Sequence, residues 1–378
     1  VIFNRNLASE MGLELLGTSQ EELAEIFSGN SMLEGTEPIA QAYAGHQFGH
    51  FTMLGDGRAV VWGEHLTKNG KRLDIQFKGS GRTPYSRGGD GRAALGPMLR
   101  EYIVSEAMHA LKIPTTRSLA VVETGEMVYR ETPLAGAILT RVASSHIRVG
   151  TFQYAAAVKE PDLLHNLINY TVSRHFPEIP KSGNIALSLL EQVAEKQIDL
   201  IVNWMRVGFI HGVMNTDNMA LSGETIDYGP CAFIDHFEQG KVFSSIDQTG
   251  RYAYSNQPLI AQWNLARLAE SLLPAISSEN ENSIKLAKPI IEKLASMYQQ
   301  KWLTMMRKKL GLLDEKPGDE KLVNGLLELM ETTKKDFTNT FIYLTKSVDG
   351  KPVENQNQFG DWFFQWQQRL KESPISAA

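Results

Sequence analysis

One change of pattern along the chain constrains its fold more than any other feature. Between residues 54 and 142, apolar and polar side chains alternate in short runs typical of β-strands, with a single helical segment at 96 to 111. From Pro161 onwards, apolar residues recur at helical spacing instead. The sequence therefore predicts an α+β protein with a β-rich first lobe, one central helix and a mainly helical second lobe.

The strand pattern is clearest at residues 71 to 78, where Leu73, Ile75 and Phe77 point to one face and Lys78 to the other. A short helix is expected at 20 to 27, where apolar residues share a face. Further strands are expected at 59 to 62, 118 to 123, 127 to 131 and 137 to 142. Further helices are expected at 185 to 207, 257 to 273, 281 to 311, 318 to 333, 335 to 346 and 357 to 371.

Composition excludes some classes of protein and favours others. With 38 basic and 43 acidic residues the net charge is −5, which argues against a general nucleic-acid or anionic-membrane surface. No apolar run approaches the ~18 to 20 residues that cross a bilayer. A single cysteine, Cys231, fits a reducing compartment, so a cytoplasmic location is expected. The chain begins at Val1 rather than Met, so we expect a trimmed piece in which a native targeting segment would not be visible.

Oxygen-bearing side chains gather in two short segments of the second half. Residues 215 to 218 are Asn, Thr, Asp and Asn, and Asp227 follows shortly afterwards, before an aromatic residue and a glycine. Amide and carboxylate oxygens are ligands that Mg²⁺ and Mn²⁺ prefer. The two segments therefore predict a site for a divalent cation.

The same segments align with the catalytic loop and the later metal-binding Asp of protein kinases. His211 falls on the His of that motif, Asn218 on its metal-binding Asn and Asp227 on the metal-binding Asp. Val213 stands where the kinase motif has its catalytic Asp, and a valine side chain cannot accept a proton. Either the chain is an inactive relative of kinases or its base lies elsewhere.

Two glycine-rich loops precede these segments. The first contains Gly55, Gly57 and Arg58, although a plain hairpin turn is the better interpretation of that loop taken alone. The second, at 78 to 92, holds five glycines and four cationic side chains. Backbone N–H groups beside Lys and Arg form anion-binding concavities, so the second loop indicates a phosphate site more than a flexible linker.

Lys78 is expected to pair with a carboxylate of the helix at 96 to 111. That helix carries Glu101 and Glu106 on a largely apolar surface, and a buried carboxylate needs a cation. Helical periodicity does not choose between the two. Further along, Arg141 and Arg148 could clamp a phosphate, although taken alone they are better interpreted as ordinary surface arginines.

His46 and His50 are spaced as zinc ligands on a helix would be, but the two glycines of this segment, Gly45 and Gly49, disfavour a helix. Packed, hydrogen-bonded histidines are the better interpretation.

The order of these features resembles a protein-kinase-like, bilobal fold. More narrowly, the chain resembles the selenoprotein O family of protein adenylyltransferases, called YdiU in bacteria. The similarity extends from about residue 35 to 370. The matching segments are 44 to 49, 54 to 58, 78 to 87, 89 to 93, 106 to 109, 113 to 117, 211 to 219 and 227 to 230.

In that family ATP binds in the opposite orientation to that in kinases, so AMP, rather than the γ-phosphate, is transferred to a protein hydroxyl. The resemblance implies that Lys78 is the phosphate-binding lysine, held by Glu101. It also implies that Asn218 and Asp227 are the metal ligands and that Asp217 is the proton acceptor. The remaining nucleotide-site positions that it implies are Gly55, Gly57, Arg58, Asp90, Gly91, Arg141 and Arg148.

We therefore expect an enzyme that uses ATP and Mg²⁺ or Mn²⁺ to attach AMP, or UMP from UTP, to Ser, Thr or Tyr hydroxyls of protein substrates. It is expected to act as a monomer without nucleic-acid or membrane partners. Its expected domains are an N-terminal extension at 1 to 53, a nucleotide-binding lobe at 54 to 145 and a helical lobe at 146 to 378. The alternatives are a catalytically silent, ATP-binding pseudokinase scaffold and a small-molecule phosphotransferase.

Overall fold

A computed structural model describes residues 1 to 348 and 356 to 373. The chain forms two compact units. Unit 1 comprises Val1–Leu200, Met214–Gly229 and Trp263–Ile291. Unit 2 comprises Ile201–Val213, Pro230–Gln262 and Glu292–Ala378. The three domains expected from the sequence stay a prediction.

An antiparallel sheet forms the centre of unit 1, with the strand order β1-β7-β8-β5-β4 and with β6 paired to β8. A separate hairpin is formed by β2 and β3. The strands of unit 1 are β1 Ile2–Phe3, β2 Ala44–Gln47, β3 His50–Met53, β4 Ala59–Leu66, β5 Arg72–Lys78, β6 Ala93–Ala94, β7 Arg117–Tyr129 and β8 Pro133–Ala143. Unit 2 contains the pair β9 Phe209–Ile210 and β10 Ala232–Phe233.

Helices make up most of the remaining structure. They are α1 Arg5–Met11, α2 Gln20–Phe27, α3 Leu95–Ala110, α4 Val149–Val158, α5 Pro161–His175, α6 Ile185–Val207, α7 Gln257–Ile276, α8 Asn280–Glu292, α9 Leu294–Lys309, α10 Asp319–Thr332, α11 Phe337–Val348 and α12 Gly360–Lys371. The expected α+β class is confirmed. None of the helices in the described ranges is both long enough and apolar enough to span a bilayer.

Two expectations about element boundaries are wrong. The strands expected at 118 to 123 and 127 to 131 form one strand, β7, because an irregularity between Glu123 and Met127 absorbs the extra residues without ending the pairing with β8. The single helix expected at 281 to 311 is divided into α8 and α9. Pro289 lies near the end of α8 and has no N–H to continue the helical hydrogen bonds.

The two faces of the sheet are covered by different helices. On one face, Leu7 of α1 and Phe27 of α2 pack into a core cluster with Phe77 of β5. On the opposite face, Met98 of α3 packs with Val121 of β7. Because side chains alternate along a strand, Lys78 leaves the core that holds Phe77 and points toward the face that carries α3.

Replacing Phe77 with alanine tests how firmly this core holds β5. Phe77 is 1% exposed and stacks on Trp62 with ring centroids 4.6 Å apart. We expect Phe77→Ala to lower the free energy of unfolding by about 3 to 5 kcal/mol, the usual cost of emptying a buried aromatic site. Urea unfolding followed by circular dichroism would measure the loss. Leu66→Ala, at a position 69% exposed on β4, is the control and should change it by less than about 0.5 kcal/mol.

Candidate active site

A buried ion pair joins β5, an inner strand of the sheet, to α3. Lys78 Nζ donates to Glu101 Oε2 at 2.7 Å, and both side chains are almost fully buried. Arg141 of β8 binds the other oxygen of the same carboxylate, with Nε 2.9 Å from Oε1. A strand lysine paired with a glutamate of the following helix is the arrangement found in protein kinases.

The question of which glutamate pairs with Lys78 is therefore decided by the structure. Glu106 is occupied elsewhere: its carboxylate accepts hydrogen bonds from Arg117, from the side chain of Asn4 and from the backbone N–H of Ser118. Glu101 is thus the partner of Lys78, as the family resemblance implied.

Asp227 is a second carboxylate that contacts both Lys78 and Arg141. Its Oδ1 lies 2.7 Å from Lys78 Nζ and 2.7 Å from Arg141 Nη2, and its Oδ2 lies 3.6 Å from Arg148 Nη2. Burial acts to raise the pKa of Asp227, but the charges of Arg141, Lys78 and Arg148 outweigh it and hold that pKa well below the ordinary value. Asp227 is therefore ionised at neutral pH.

The backbone at Asp227 takes a conformation that is uncommon for a residue with a side chain. Its φ angle is 62°, in the left-handed region that glycine prefers. Such strain persists only where surrounding contacts compensate for it, and the ion pairs of its carboxylate do so here. Strain at a partly buried, charged loop residue is typical of functional sites.

Arg141 and Arg148 are not the surface residues that their sequence context alone suggested. Their exposed fractions are 1% and 3%. The guanidinium of Arg148 lies over the ring of Tyr43, 4.5 Å from its centroid, and its Nη1 is 3.6 Å from Asp56 Oδ1. Each arginine thus contacts Asp227 and is also held by a second anionic or aromatic side chain.

The hairpin β2–β3 anchors the loop that carries Asp217. The backbone N–H of His46 donates to Thr216 Oγ1 at 2.7 Å, and that of Phe48 donates to Asn215 Oδ1 at 3.1 Å. The side chain of Gln47 donates to Asp217 Oδ2 at 3.4 Å. These bonds hold the loop from Asn215 to Asp217 against one edge of β2.

Gly45 allows this close approach. A Cβ atom at that position would lie 2.3 Å from Asp217 Oδ1, far inside van der Waals contact. The carboxylate therefore occupies the space that any other residue at position 45 would fill.

Asp217 differs sharply from Asp227 in its electrostatic surroundings. It is 7% exposed, and its Oδ1 has no hydrogen-bond partner among the described residues. Burial raises the pKa of Asp217 above the ordinary value, and the charge of Arg148 offsets this only in part. A buried carboxylate with a raised pKa and a free oxygen has the properties of a general base.

The two glycine-rich loops pack closely, and of their residues Asp56 and Lys78 join the ion-pair network. A Cβ at Gly55 would meet the ring of Tyr85 at 2.3 Å, and one at Gly57 would meet the Tyr85 carbonyl oxygen at 2.8 Å. A Cβ at Gly91 would lie 2.0 Å from the carbonyl oxygen of Gly81. The observed reason for glycine at these positions is therefore close backbone packing.

Two other charged residues of these loops, Arg58 and Asp90, are more exposed to solvent. Arg58 is exposed. Asp90 accepts hydrogen bonds from Arg130 and from the backbone N–H of Arg92, and these contacts lower its pKa. The roles expected for Gly55, Gly57, Arg58, Asp90 and Gly91 stay predictions.

His46 is a packed, hydrogen-bonded side chain, as expected. Its Nδ1 lies 2.6 Å from Gln153 Nε2, and its ring meets that of Trp263 edge to face at 5.2 Å. His50 is exposed on the neighbouring strand.

Several polar residues that support the site are not predicted by the sequence patterns. Asp56, Gln76 and Tyr43 contact the two arginines, and Gln47 contacts Asp217. One signal was present: Asp74, Gln76 and Lys78 alternate with apolar residues along β5, so one face of an inner strand is entirely polar. All three are buried, as expected of a face that builds a site.

Comparison with known proteins shows the family of this chain. The family model described as protein adenylyltransferase SelO matches residues 1–373. The chain belongs to the SelO family. The membership inferred from the motifs, and with it the assignment as a protein adenylyltransferase, is confirmed.

Relatives in this family are similar over nearly the whole chain. A protein nucleotidyltransferase YdiU of Nitrosococcus oceani is 59% identical over 374 residues, which are 99% of this chain and 76% of that protein. One of Pelagibacter ubique is 60% identical over 371 residues, 98% of this chain and 77% of that protein. Among solved structures, ROP2 from Toxoplasma gondii aligns over 97% of this chain and 95% of its own with 10% identity and a TM-score of 0.31, too low to inform the fold further.

Removing the charge of Asp217 should stabilise this SelO family member. Because burial raises the pKa of Asp217, ionising it costs free energy in the folded state. We expect Asp217→Asn to raise the free energy of unfolding by about 1 kcal/mol at neutral pH, a typical gain when an unpaired buried charge is removed. The gain should vanish below the ordinary Asp pKa, where both folded and unfolded chains carry a protonated Asp217.

Thermal unfolding at several pH values would measure this effect. Asp90→Asn is the matched control, because Arg130 lowers the pKa of Asp90 and its ionised form is favoured by folding. That variant should show no gain at neutral pH. A loss of stability in Asp217→Asn at neutral pH would contradict the electrostatic account.

Proposed function

We propose that this chain transfers AMP from ATP to the hydroxyl groups of Ser, Thr or Tyr side chains in protein substrates, with UTP and UMP as the alternative nucleotide pair. The observation that carries the proposal is the position of Asp217. One oxygen of its carboxylate has no hydrogen-bond partner among the described residues, and it lies in the same unit as Lys78, Arg141 and Arg148. Val213, by contrast, occupies the sequence position of the kinase base.

Lys78, Arg141 and Arg148 are proposed to bind the phosphate groups of the nucleotide. All three contact Asp227, so in the absence of nucleotide that carboxylate compensates their charges. Phosphate oxygens present the same chemistry of delocalised negative charge, and guanidinium groups bind it in a fixed orientation. In the proposed reaction these cations hold the pyrophosphate that departs, because AMP is the group transferred.

Asn218 and Asp227 are proposed to hold Mg²⁺ or Mn²⁺. An ionised carboxylate and an amide oxygen are suitable ligands for either cation, and the lowered pKa of Asp227 keeps its oxygens unprotonated. Asn218 lies in the short 3-10 turn Thr216–Asn218, next to the proposed base. Such a cation would neutralise charge on the phosphates during transfer.

Asp217 is proposed to accept the proton of the acceptor hydroxyl. As the hydroxyl oxygen forms a bond with the α-phosphorus, the bond from that phosphorus to the β-phosphate bridging oxygen breaks and pyrophosphate leaves. The proton passes to Asp217, whose raised pKa makes it a stronger base than an ordinary Asp.

The nucleotide is proposed to bind in the reversed orientation expected from the resemblance. In that orientation the α-phosphate faces the acceptor, and the β- and γ-phosphates face Lys78, Arg141 and Arg148. Gly55, Gly57, Arg58, Asp90 and Gly91 are proposed to contribute to the nucleotide site from the two glycine-rich loops. With one cysteine in its sequence, the chain is proposed to act in the cytoplasm as a monomer.

Labelled nucleotides test which phosphorus is transferred. With ATP labelled at the α-phosphate, we expect label in acceptor protein, and with ATP labelled at the γ-phosphate we expect none. Pyrophosphate should appear in equal amount to the transferred AMP. Label incorporated from the γ position alone would instead identify a kinase. ADP release driven by a small metabolite would identify a small-molecule phosphotransferase.

Asp217→Ala tests the proposed base. We expect the rate of AMP transfer to fall by about 10²- to 10⁴-fold, the range usual for a lost general base. Nucleotide affinity should change little, because Asp217 is not among the residues proposed to bind phosphate. Unchanged transfer by Asp217→Ala would overturn its role. In the wild-type chain the rate should decline as the pH falls through the raised pKa of Asp217, because the protonated carboxyl cannot accept a proton.

A further inference from the structure

Gln76 lies between Arg141 and Asp56, a carboxylate that in turn contacts Arg148. It lies on β5 directly opposite Arg141 of β8 in the sheet register, and its exposed fraction is 0%. Its side-chain oxygen accepts a hydrogen bond from Arg141 Nη1 at 3.1 Å. Its side-chain nitrogen donates to Asp56 Oδ2 at 3.4 Å.

Asp56 continues this chain of contacts to Arg148. Its Oδ1 lies 3.6 Å from Arg148 Nη1, while its Oδ2 accepts from Gln76 and from the backbone N–H of Gln41 at 3.2 Å. The order of contacts is therefore Arg141, Gln76, Asp56 and Arg148. We call this set the arginine relay.

A carboxamide suits this position for a physical reason. One neighbour of residue 76 is a cation that must donate, and the other is a carboxylate that must accept. Glutamine has an acceptor and a donor on one planar group and carries no charge, so it satisfies both neighbours at once. A carboxylate there would repel Asp56, and an apolar side chain would leave buried polar groups without partners.

The two arginines also need a support that does not depend on Asp227. That carboxylate is shared among Lys78, Arg141 and Arg148, so it cannot by itself set the spacing between the two guanidinium groups. The arginines repel each other, since the charge of each acts on the other. The arginine relay connects them through bonds that do not involve Asp227.

We propose that Gln76 is a positioning residue for the phosphate-binding arginines. Gln76 contacts Arg141 directly and acts on Arg148 through Asp56. By these contacts it holds the two guanidinium groups at the spacing that a pyrophosphate group requires. The inference rests on the proposed function only in taking these arginines as the pyrophosphate site. Gln76 itself contacts no nucleotide.

Binding of inorganic pyrophosphate and of AMP to purified variants of this chain, in the presence of Mg²⁺, separates a positioning role from general damage to the fold. Gln76→Leu keeps the approximate volume but removes both hydrogen bonds. We expect its affinity for pyrophosphate to fall about tenfold, the equivalent of one lost hydrogen bond to a charged group. Its affinity for AMP should be unchanged, because AMP lacks the phosphates that the arginines hold.

A matched control distinguishes this effect from the loss of any buried glutamine. Gln197 is also buried in unit 1, where its side chain donates to the carbonyl oxygen of Ala220 at 2.6 Å. Gln197→Leu should lower the melting temperature without separating the affinities for pyrophosphate and AMP. Equal losses of both affinities in Gln76→Leu, or a selective loss of pyrophosphate affinity in Gln197→Leu, would overturn the proposal.

A paired exchange tests the direct link between Gln76 and Asp56. Gln76→Glu should lower the affinity for pyrophosphate more than Gln76→Leu does, because two carboxylates then face each other. Adding Asp56→Asn reverses the bond, since the carboxamide introduced at position 56 can donate to the carboxylate introduced at position 76. The double variant also carries the same net charge as the wild type. We expect it to bind pyrophosphate more tightly than Gln76→Glu alone. If the effects of Asp56→Asn and Gln76→Glu simply add, the relay does not exist.

The binding measurements test the positioning role of Gln76, and the transfer assay tests the proposed AMP transfer, so either proposal can fail without the other. If the wild-type chain transfers only γ-labelled phosphate, the proposed AMP transfer is wrong, yet a selective loss of pyrophosphate affinity in Gln76→Leu still supports the relay. If α-label is transferred normally and Gln76→Leu binds pyrophosphate as the wild type does, the function stands and the positioning role of Gln76 is wrong.

Discussion

The structure of the site depends on the mutual compensation of buried charges. Lys78, Arg141 and Arg148 carry three positive charges, and the carboxylates that they contact are Glu101, Asp56 and Asp227. An unpaired ion in such a place would cost several kcal/mol, so removing any one member leaves another uncompensated. This constraint explains why residues far apart in sequence must assemble in one arrangement.

Two aspartates of the site have opposite electrostatic surroundings, and their chemistry differs for that reason. Asp227 lies among three cations, which hold its pKa low and keep it ionised, as suits a metal ligand. Asp217 is buried with only the partial compensation of Arg148, so its pKa is raised, as suits a base. The opposite pKa shifts of the two aspartates support the different roles proposed for them.

The sheet and its helices serve this division of roles. β5 contributes Phe77 to one core and Lys78 to the ion pairs, because successive side chains of a strand point to opposite faces. The β2–β3 hairpin has a different task. It fixes the Asp217 loop through backbone hydrogen bonds and through the absence of a side chain at Gly45. Position and ionisation of the proposed base are thus set by different elements.

The sequence by itself determined the α+β class, the strand at 71 to 78, the helix Ile185–Val207 and the family motifs, because these follow from local periodicity and contiguous residues. Only the tertiary structure decided that Glu101 rather than Glu106 pairs with Lys78, and that Arg141 and Arg148 are buried. Those outcomes depend on which charges meet across elements separated by long stretches of chain. Local patterns do not contain that information, whereas the cost of leaving a buried charge unpaired selects one arrangement of the folded chain.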